Sequence, residues 1–586
     1  MKIRAIFALA IILISGSQPA LSATLPDEQF YFKVNPPGPE YMGYASSNSF
    51  ELRMSNSSYI QVKFQDVPNA EQLRAIDAIY ECGKPSSKCV PIQEMSNRGL
   101  TGIYNALLSS CSVQRTVDCI GELKVTKADG TVVSGTPSDE FLSYNPQGFS
   151  GDLAYNLPTS GNSFVFDIPG LPHLGGTKYL VVAQLDSRKS VSSSKFAEPN
   201  LQLGIFAVSF VNGSFKPNIT PSDLTLGSRA ANGADAPLGI GREHPHLEQC
   251  VQQSQNQCAI AYPLPLDATF TISLKLSSKI NGWLHGRVRN ANASLNVDSN
   301  GATIFQVSAK PVVVPMVGLF SKKKDLTPEL LDYYTNITKP MGGTGLCRDF
   351  TETPQCLRQQ TSFGEEGMRE FLLWLAMMKE RAIAAPTQWS IRTINDGGGL
   401  DLSCYQNNKS VSGIVMTNAT NYISGPPVFN KNSQSLDYRV AAPHFLPNGE
   451  VFRGTYDLLI DSKVARCLYG FSNAPIQATI SVLSADGAEQ SSTTSVSEKD
   501  GWLHLSANGF TFSNPTLRVK IQQSLEDTQP SQPKSPSTGS TSISKSASLP
   551  KPIAKSSQKT ISCKKGKFVR KISGTNPKCP LGFSKF

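Results

Sequence analysis

The residues best placed to do chemistry are two histidines and two aspartates. His244-Pro245-His246, with Glu243 and Cys250 nearby, sets imidazoles on alternate positions of an extended segment, where they can share one metal ion. A loop leading into a disulfide carries the same residues, and that is the expected role. Asp396-Gly397-Gly398-Gly399-Leu400-Asp401 offers carboxylate oxygens to calcium, but it matches no EF-hand spacing and reads as a flexible turn. The expectation is therefore no metal and no cofactor, with His244, His246, Asp396 and Asp401 as the weak candidates. His285 and His504 recur in Asn281-Gly282-Trp283-Leu284-His285 and Asp500-Gly501-Trp502-Leu503-His504, which favours packing over catalysis. The acidic cluster Glu365, Glu366 and Glu370 reads as the solvated start of a helix. GxSxG, HExxH and Walker-loop patterns are absent from the sequence, so no catalytic residue is assigned. A carboxylate pair brought together by folding, as in glycosidases, stays open.

The elements that must hold these residues are mostly short strands. Charged residues make up only 17% of the chain, against about 25% in typical proteins, while 45 Gly and 39 Pro punctuate it. Phe164-Val165-Phe166, Tyr179 to Val182, Leu201 to Val208, Ala268 to Leu276 and Ala302 to Val307 are apolar or alternating runs between turn signals. Leu123 and Val125 precede Ala128-Asp129-Gly130, a hairpin signal. Leu73, Ile76 and Tyr80 fit one face of a short helix, and a strand fits them nearly as well. The expected fold is mainly β, with several β-sandwich-like domains, a helical insert and a disordered basic tail. The repeated Gly-Trp-Leu-His segments hint at a duplicated domain, with Trp283 and Trp502 in equivalent buried positions.

The helical insert is marked by a change of period. Thr327-Pro328-Glu329 opens a short helix through Leu330, Leu331 and Tyr334. Ser362 and Glu365 form a capping box, after which Met368, Phe371, Leu372, Leu375 and Met378 recur at helical spacing until Pro386. Leu373, Trp374 and Met377 make its other side apolar, which predicts a helix over Met368 to Ala382 buried between domains. The expected segments are a signal peptide over 1–23, an N-terminal β domain over 24–136, a β-sandwich over 137–320, a helical connector over 321–385, a second β-sandwich over 386–527, a Ser/Pro/Lys-rich linker over 528–562 and a basic disulfide-closed motif over 563–586.

Twelve cysteines fall mostly into near neighbours: Cys82 with Cys89, Cys111 with Cys119, Cys250 with Cys258, Cys347 with Cys356, Cys404 with Cys467, and Cys563 with Cys579. An even count with this spacing and no CxxC knuckle favours structural disulfides over metal sites, although sequence alone leaves the connectivity open. Lys2 and Arg4, an apolar run from Ala5 to Ile14 and Ala20-Leu21-Ser22-Ala23 read as an export signal. No apolar run reaches 18 residues, so no mature membrane span is expected. The first cysteine is Cys82, which speaks against a lipid anchor. Leu549-Pro550-Lys551-Pro552 lacks the pattern for covalent wall attachment.

Charge is segregated. The tail after Asp527 carries twelve basic residues and no acidic one, and Lys2 and Arg4 lie in the signal. The remaining body has 41 basic residues against 45 acidic, a net charge of −4. Nucleic acid is therefore not an expected partner of the folded body. Lys559, Lys564, Lys565, Lys567, Arg570 and Lys571 concentrate positive charge within thirteen residues, and anionic cell-envelope polymers are the expected partner of such an exported arm.

Two stretches carry a resemblance. Ile561 to Lys571 (ISCKKGKFVRK) with Asn576 to Phe583 (NPKCPLGF) resembles a short Cys/Lys-rich motif at the end of many exported proteins of small actinobacteria. It implies cell-envelope targeting and no activity. Phe166 to His173 (FDIPGLPH) and Gly282 to Arg287 (GWLHGR) resemble large secreted actinobacterial proteins, from which no catalytic residue carries over. The expectation is an exported, non-catalytic envelope or surface protein, associated with the cell wall or cell surface, with β domains for adhesion, display or ligand binding. The alternative is a secreted hydrolase acting on polysaccharide or another polymer.

Overall fold

A computed structural model describes residues 41–46, 58–64, 100–142, 148–212, 250–253, 256–280, 282–334, 356–359, 364–394, 404, 411–423, 425–430, 432, 435–470, 476–483, 489–490, 493–512, 516–523, 559–565, 568–574 and 584–585. The chain forms two compact units, residues 1–525 and 526–586. It is mainly β, with 58% of the described residues in strands and 10% helical.

The first unit is organised by one long sheet whose strands include β1 (Tyr59–Phe64), β2 (Leu100–Leu107), β3 (Lys178–Lys189), β4 (Asn200–Asn212), β5 (Gly282–Val297), β6 (Ser390–Ile394), β7 (Val411–Thr417), β8 (Arg453–Asp461), β9 (Thr493–Lys499) and β10 (Trp502–Thr511). Their spatial order is β1-β2-β3-β4-β6-β5-β7-β8-β10-β9, antiparallel throughout except for the parallel pair β5–β7. The expected segments 24–136, 137–320 and 386–527 all contribute to this sheet, because β6 hydrogen-bonds to both β4 and β5. The sheet continues across those boundaries.

Each face of the sheet meets a different layer. One face packs on a second sheet built from Cys119–Thr126, Thr269–Leu276 and Thr303–Val313, so that Leu123, Phe270, Ile272 and Phe305 share a core with Tyr179, Leu203, Leu284, Ile414 and Leu459. Thr269–Leu276 buries every second residue, as a strand with one covered face should. The other face, over β5, β7, β8 and β10, packs on Ser435–Ala441, Ile476–Leu483 and Thr516–Gln523, joining Trp283, Val415 and Leu458 to Tyr438, Val482 and Val519. β5 is covered on both sides, which is why Trp283 to Val288 is buried without alternation. A Cβ on Gly413 would lie 2.3 Å from the Trp283 indole, so only glycine leaves room there.

β5 belongs to both layers. Its first half pairs with β6 and β7 and its second half with Thr303–Val313, and the register shifts between Arg289 and Asn292. Asn290 takes φ 52° at this corner, a left-handed conformation that asparagine tolerates. The Asp457 carboxylate on β8 accepts the Asn290 N–H at 2.8 Å and holds the corner.

Trp283 and Trp502 do not occupy equivalent positions. Both stand in this one sheet, but Trp283 shares a rung with Gly413, Ile460 and Leu503, whereas Trp502 stands opposite Asp461, one step away. A one-residue offset turns side chains to opposite faces. Trp283 is fully buried in the second core and Trp502 packs partly buried on the first. What the segments share is strand entry after a left-handed glycine, with Gly282 at φ 83° and Gly501 at φ 80°. Asp500 and Gly501, both left-handed, form the turn from β9 to β10.

The helices form a smaller third core. α1 (Pro328–Asp332) starts as expected, with the Thr327 hydroxyl accepting the Leu330 N–H. α2 (Glu365–Met377) corrects the expected helix: its N-cap is Gly364 without a side-chain cap, it ends at Met377, and Lys379 and Glu380 take positive φ. Glu365 forms an ion pair with Arg439. Met368, Phe371, Trp374 and Leu375 bury against Tyr44, Leu330 and Tyr334. Glu370, expected in solvent, is buried, because it accepts the Tyr334 hydroxyl at 2.5 Å while that oxygen accepts the Trp374 indole N–H at 2.7 Å. α3 (Ser462–Tyr469) is capped by Asp461 and ends at left-handed Gly470.

Among the described cysteines none is free. Cys111 is bonded to Cys119 and Cys404 to Cys467, as expected, and Cys258 is also in a disulfide. Cys82, Cys89, Cys347 and Cys579 lie outside the described residues, as do residues 1–23, the run from Leu73 to Tyr80 and the linker up to Gln558.

In the second unit the tail expected to be disordered contains strand. Lys559–Lys565 pairs antiparallel with Phe568–Gly574, and Ser584–Lys585 adds to its other edge. Thr560, Ile561, Phe568, Val569 and Ile572 supply the β-branched and aromatic residues that favour pairing. The strand begins four residues ahead of the expected boundary at 563.

Candidate functional site

The register of the long sheet gathers polar residues from six strands onto two rungs that lie two residues apart. Tyr59 stands opposite Asn105, Asn105 opposite Asp186, and Asp186 opposite Asn200. Two residues along, Gln184 faces Gln202, Gln202 faces Arg392, and Arg392 faces His285. These positions alternate with Ala183, Leu185, Leu201, Leu203 and Ile391 of the first core, so the polar set lies on the opposite face. Asn105 and Gln184 are buried, while Tyr59, Asp186, Asn200, Gln202 and Arg392 keep part of their surface in water.

Hydrogen bonds orient the centre of this band. Asn200 Nδ2 donates to Asp186 Oδ2 at 3.0 Å and Gln202 Nε2 to Asp186 Oδ1 at 3.3 Å. Burial raises the Asp186 pKa, opposed in part by those two amides and by Arg188. Burial, with Asp186 nearby, pushes the Tyr59 phenol up to about 12. At the far end Arg392 donates to the Tyr422 hydroxyl at 2.9 Å. The Tyr422 ring stacks on His285 at 3.6 Å with an interplanar angle of 10°, and the Arg287 guanidinium sits over the same ring at 4.9 Å. His285 therefore packs, as expected. Arg287 is buried but donates to the carbonyls of Thr417, Ala419 and Thr420, which satisfies its charge within the core.

A second cluster has the residue types of a hydrolytic triad without its geometry. Asp457, His504 and Ser506 meet on β8 and β10. His504 Nε2 is 3.9 Å from Asp457 Oδ1, beyond hydrogen-bond reach. Ser506 bonds the Asp457 carboxylate instead of the imidazole, and Asn508 Nδ2 donates to the Ser506 hydroxyl at 2.8 Å. A nucleophile must touch its base, and here the carboxylate separates them in role. Burial raises the Asp457 pKa, and its bond to Asn290 makes it a corner brace.

His244, His246, Asp396 and Asp401 lie outside the described residues, and among the described residues no group of three His, Cys, Asp or Glu side chains can hold a metal ion. Of the basic tail residues, Lys559, Lys564 and Lys565 stand on one strand, Arg570 and Lys571 on the next, and Lys567 lies outside the described residues. No helix among the described residues is long and apolar enough to cross a membrane. Comparison with protein-family models, curated proteins and solved structures returns no match.

The polar band was missed from the sequence, although a signal was there. On β3, Leu180, Val182, Gln184, Asp186 and Arg188 occupy one face and pass from apolar to charged, while Tyr179, Val181, Ala183 and Leu185 stay apolar on the other.

Proposed function

We propose that the chain is an exported, non-catalytic envelope or surface protein whose β body engages a ligand and whose cationic tail associates with anionic envelope polymers. The observation that carries this reading is the tail hairpin. Pairing of Lys559–Lys565 with Phe568–Gly574 gathers five basic residues onto two adjacent strands, at the end of a chain whose body is net negative. Fixed charges held close together attract a polyanion more strongly than the same charges spread along a coil. The disulfides Cys111–Cys119 and Cys404–Cys467 fit an oxidising compartment. The resemblance of the last residues to an envelope-targeting motif points the same way. The hydrolase alternative loses support from the Asp457, His504 and Ser506 geometry.

Deleting residues 559–586 tests the proposal. The truncated protein is expected in the culture medium, without salt-sensitive binding to isolated walls. Binding of the full chain should fall as salt shortens the Debye length from about 10 Å at 0.1 M to about 3 Å at 1 M. Retention of the truncated chain, insensitive to salt, overturns it.

A further inference from the structure

We propose that the Cys404–Cys467 disulfide is a redox-operated clasp, opened and closed from solvent by a dithiol while the chain stays folded. The Cys111–Cys119 and Cys404–Cys467 bridges stand in different surroundings. Cys119, the first residue of a strand of the second sheet, is fully buried, and Cys111 is half-buried. Cys467 is exposed near the end of α3, and its partner Cys404, in the connection between β6 and β7, is half-buried. Exchange requires a thiolate to reach a sulfur atom, so access separates the two bridges.

Charge favours the same bridge. Lys463 lies four residues before Cys467, one turn along the same face of α3, and is exposed. Arg466 is neutralised by Glu498 at 3.1 Å, whereas Lys463 makes no ion pair among the described residues. Its ammonium draws an anionic thiolate toward Cys467 and steadies the Cys467 thiolate once formed. The exchange balances in two steps. A thiolate of the dithiol bonds to Cys467 Sγ as the bond to Cys404 breaks and Cys404 leaves as thiolate. The second sulfur of the dithiol then displaces Cys467. Two electrons pass to the cysteine pair, the dithiol becomes a disulfide, and its two protons end on Cys404 and Cys467.

The fold tolerates the opening. The N–H groups of Lys463 and Val464 keep donating to the Asp461 cap, and Val464 and Ala465 stay buried in the second core. What is lost is the tie from α3 to the entry of β7, the strand that pairs in parallel with β5. The clasp is independent of the tail and of the envelope reading.

Treating the full chain with dithiothreitol without denaturant, quenching at intervals with N-ethylmaleimide and mapping the labelled peptides by mass spectrometry tests it. Cys404 and Cys467 are expected to take up label together, about tenfold or more faster than Cys111 and Cys119. The protein so reduced should keep its far-ultraviolet circular dichroism, melt several degrees lower and recover on reoxidation. A Cys404→Ser, Cys467→Ser double variant should melt with the reduced form, which assigns the shift to this bridge. Lys463→Glu should slow labelling about twofold or more while the oxidised protein melts as before. Equal rates at the two bridges, labelling of Cys404 and Cys467 only where the circular dichroism is lost, or an unaltered rate in Lys463→Glu overturns the proposal.

Discussion

His173 lies in the Phe166 to His173 segment with its ring against Tyr179 and Tyr262, at centroid distances of 5.1 and 5.7 Å. Its Nδ1 accepts the Gly175 N–H at 3.0 Å, so the proton sits on Nε2, which donates to the Lys178 carbonyl at 2.9 Å. Both nitrogens are used by the neutral ring. Burial lowers its pKa, opposed by that carbonyl. The folded state therefore binds fewer protons than the unfolded one. The stability it contributes is present above the unfolded value near 6.5 and lost as pH falls through the lower folded value. Melting temperature measured from pH 7.5 down to 5 should fall less steeply for His173→Gln than for the parent; identical slopes would assign the effect to another group. Asp186 and Asp457 act in the opposite sense, since their raised pKa values favour the protonated carboxyl and their contribution fades as pH rises through those values. Asp186 is the residue that sequence reading could have found, because it breaks an apolar face. Asp457 could not be found that way, because its partner Asn290 is 167 residues distant.

Among the elements, α2 shows where local pattern works and where it stops. Met368, Phe371 and Leu375 recur at helical spacing and do line the buried face. The end of the helix was not legible, since the left-handed turn at Lys379 and Glu380 contains no glycine or proline. A distant segment sets it: the Phe445 N–H donates to the Glu380 carbonyl, and the Ala382 N–H to the Phe445 carbonyl. The two faces of α2 also differ. Leu375 is 5% exposed, whereas Leu372 and Leu373 line an open groove of about 530 Å³ with Arg369 and Arg439. Leu375→Asp is expected to destabilise by several kcal/mol, since it buries an unpaired charge, while Leu372→Asp should cost much less. Thermal melting of both variants checks this, and equal losses would mean that the groove is closed. The disulfide between Cys404 and Cys467, 63 residues apart, ties α3 to the segment before β7 and stabilises by roughly 4 kcal/mol on the chain-entropy scale.

For the whole molecule, charge and topology divide differently. The net charge of +10 comes from the tail, because the body alone is net negative. A chain ending at Asp527 is therefore expected to pass a cation-exchange column at pH 7, while the full chain binds and elutes with salt. Retention of the shortened chain would place the basic surface in the body. Topologically, strands from three expected segments share one sheet, so chemical unfolding of residues 24–527 should be read as the loss of common cores rather than of separate sandwiches.

The amino-acid sequence by itself determined the mainly β class, the helical insert with its Thr327 cap, the hairpin at Asp129-Gly130 and the cationic tail, while the Cys111–Cys119 and Cys404–Cys467 pairings were fixed by the structure. The features legible in the sequence follow from residue spacing and from turn and cap chemistry, all read along the chain. Only the tertiary structure decided that Trp283 and Trp502 face opposite sides of one sheet, that Glu370 is buried, and that Tyr59, Asp186, Gln202 and Arg392 stand together. Strand order and register are set by contacts between residues hundreds of positions apart. A shift of one residue in any of those pairings would send the polar band into the first core, so the band exists only in the register that burial of both faces enforces.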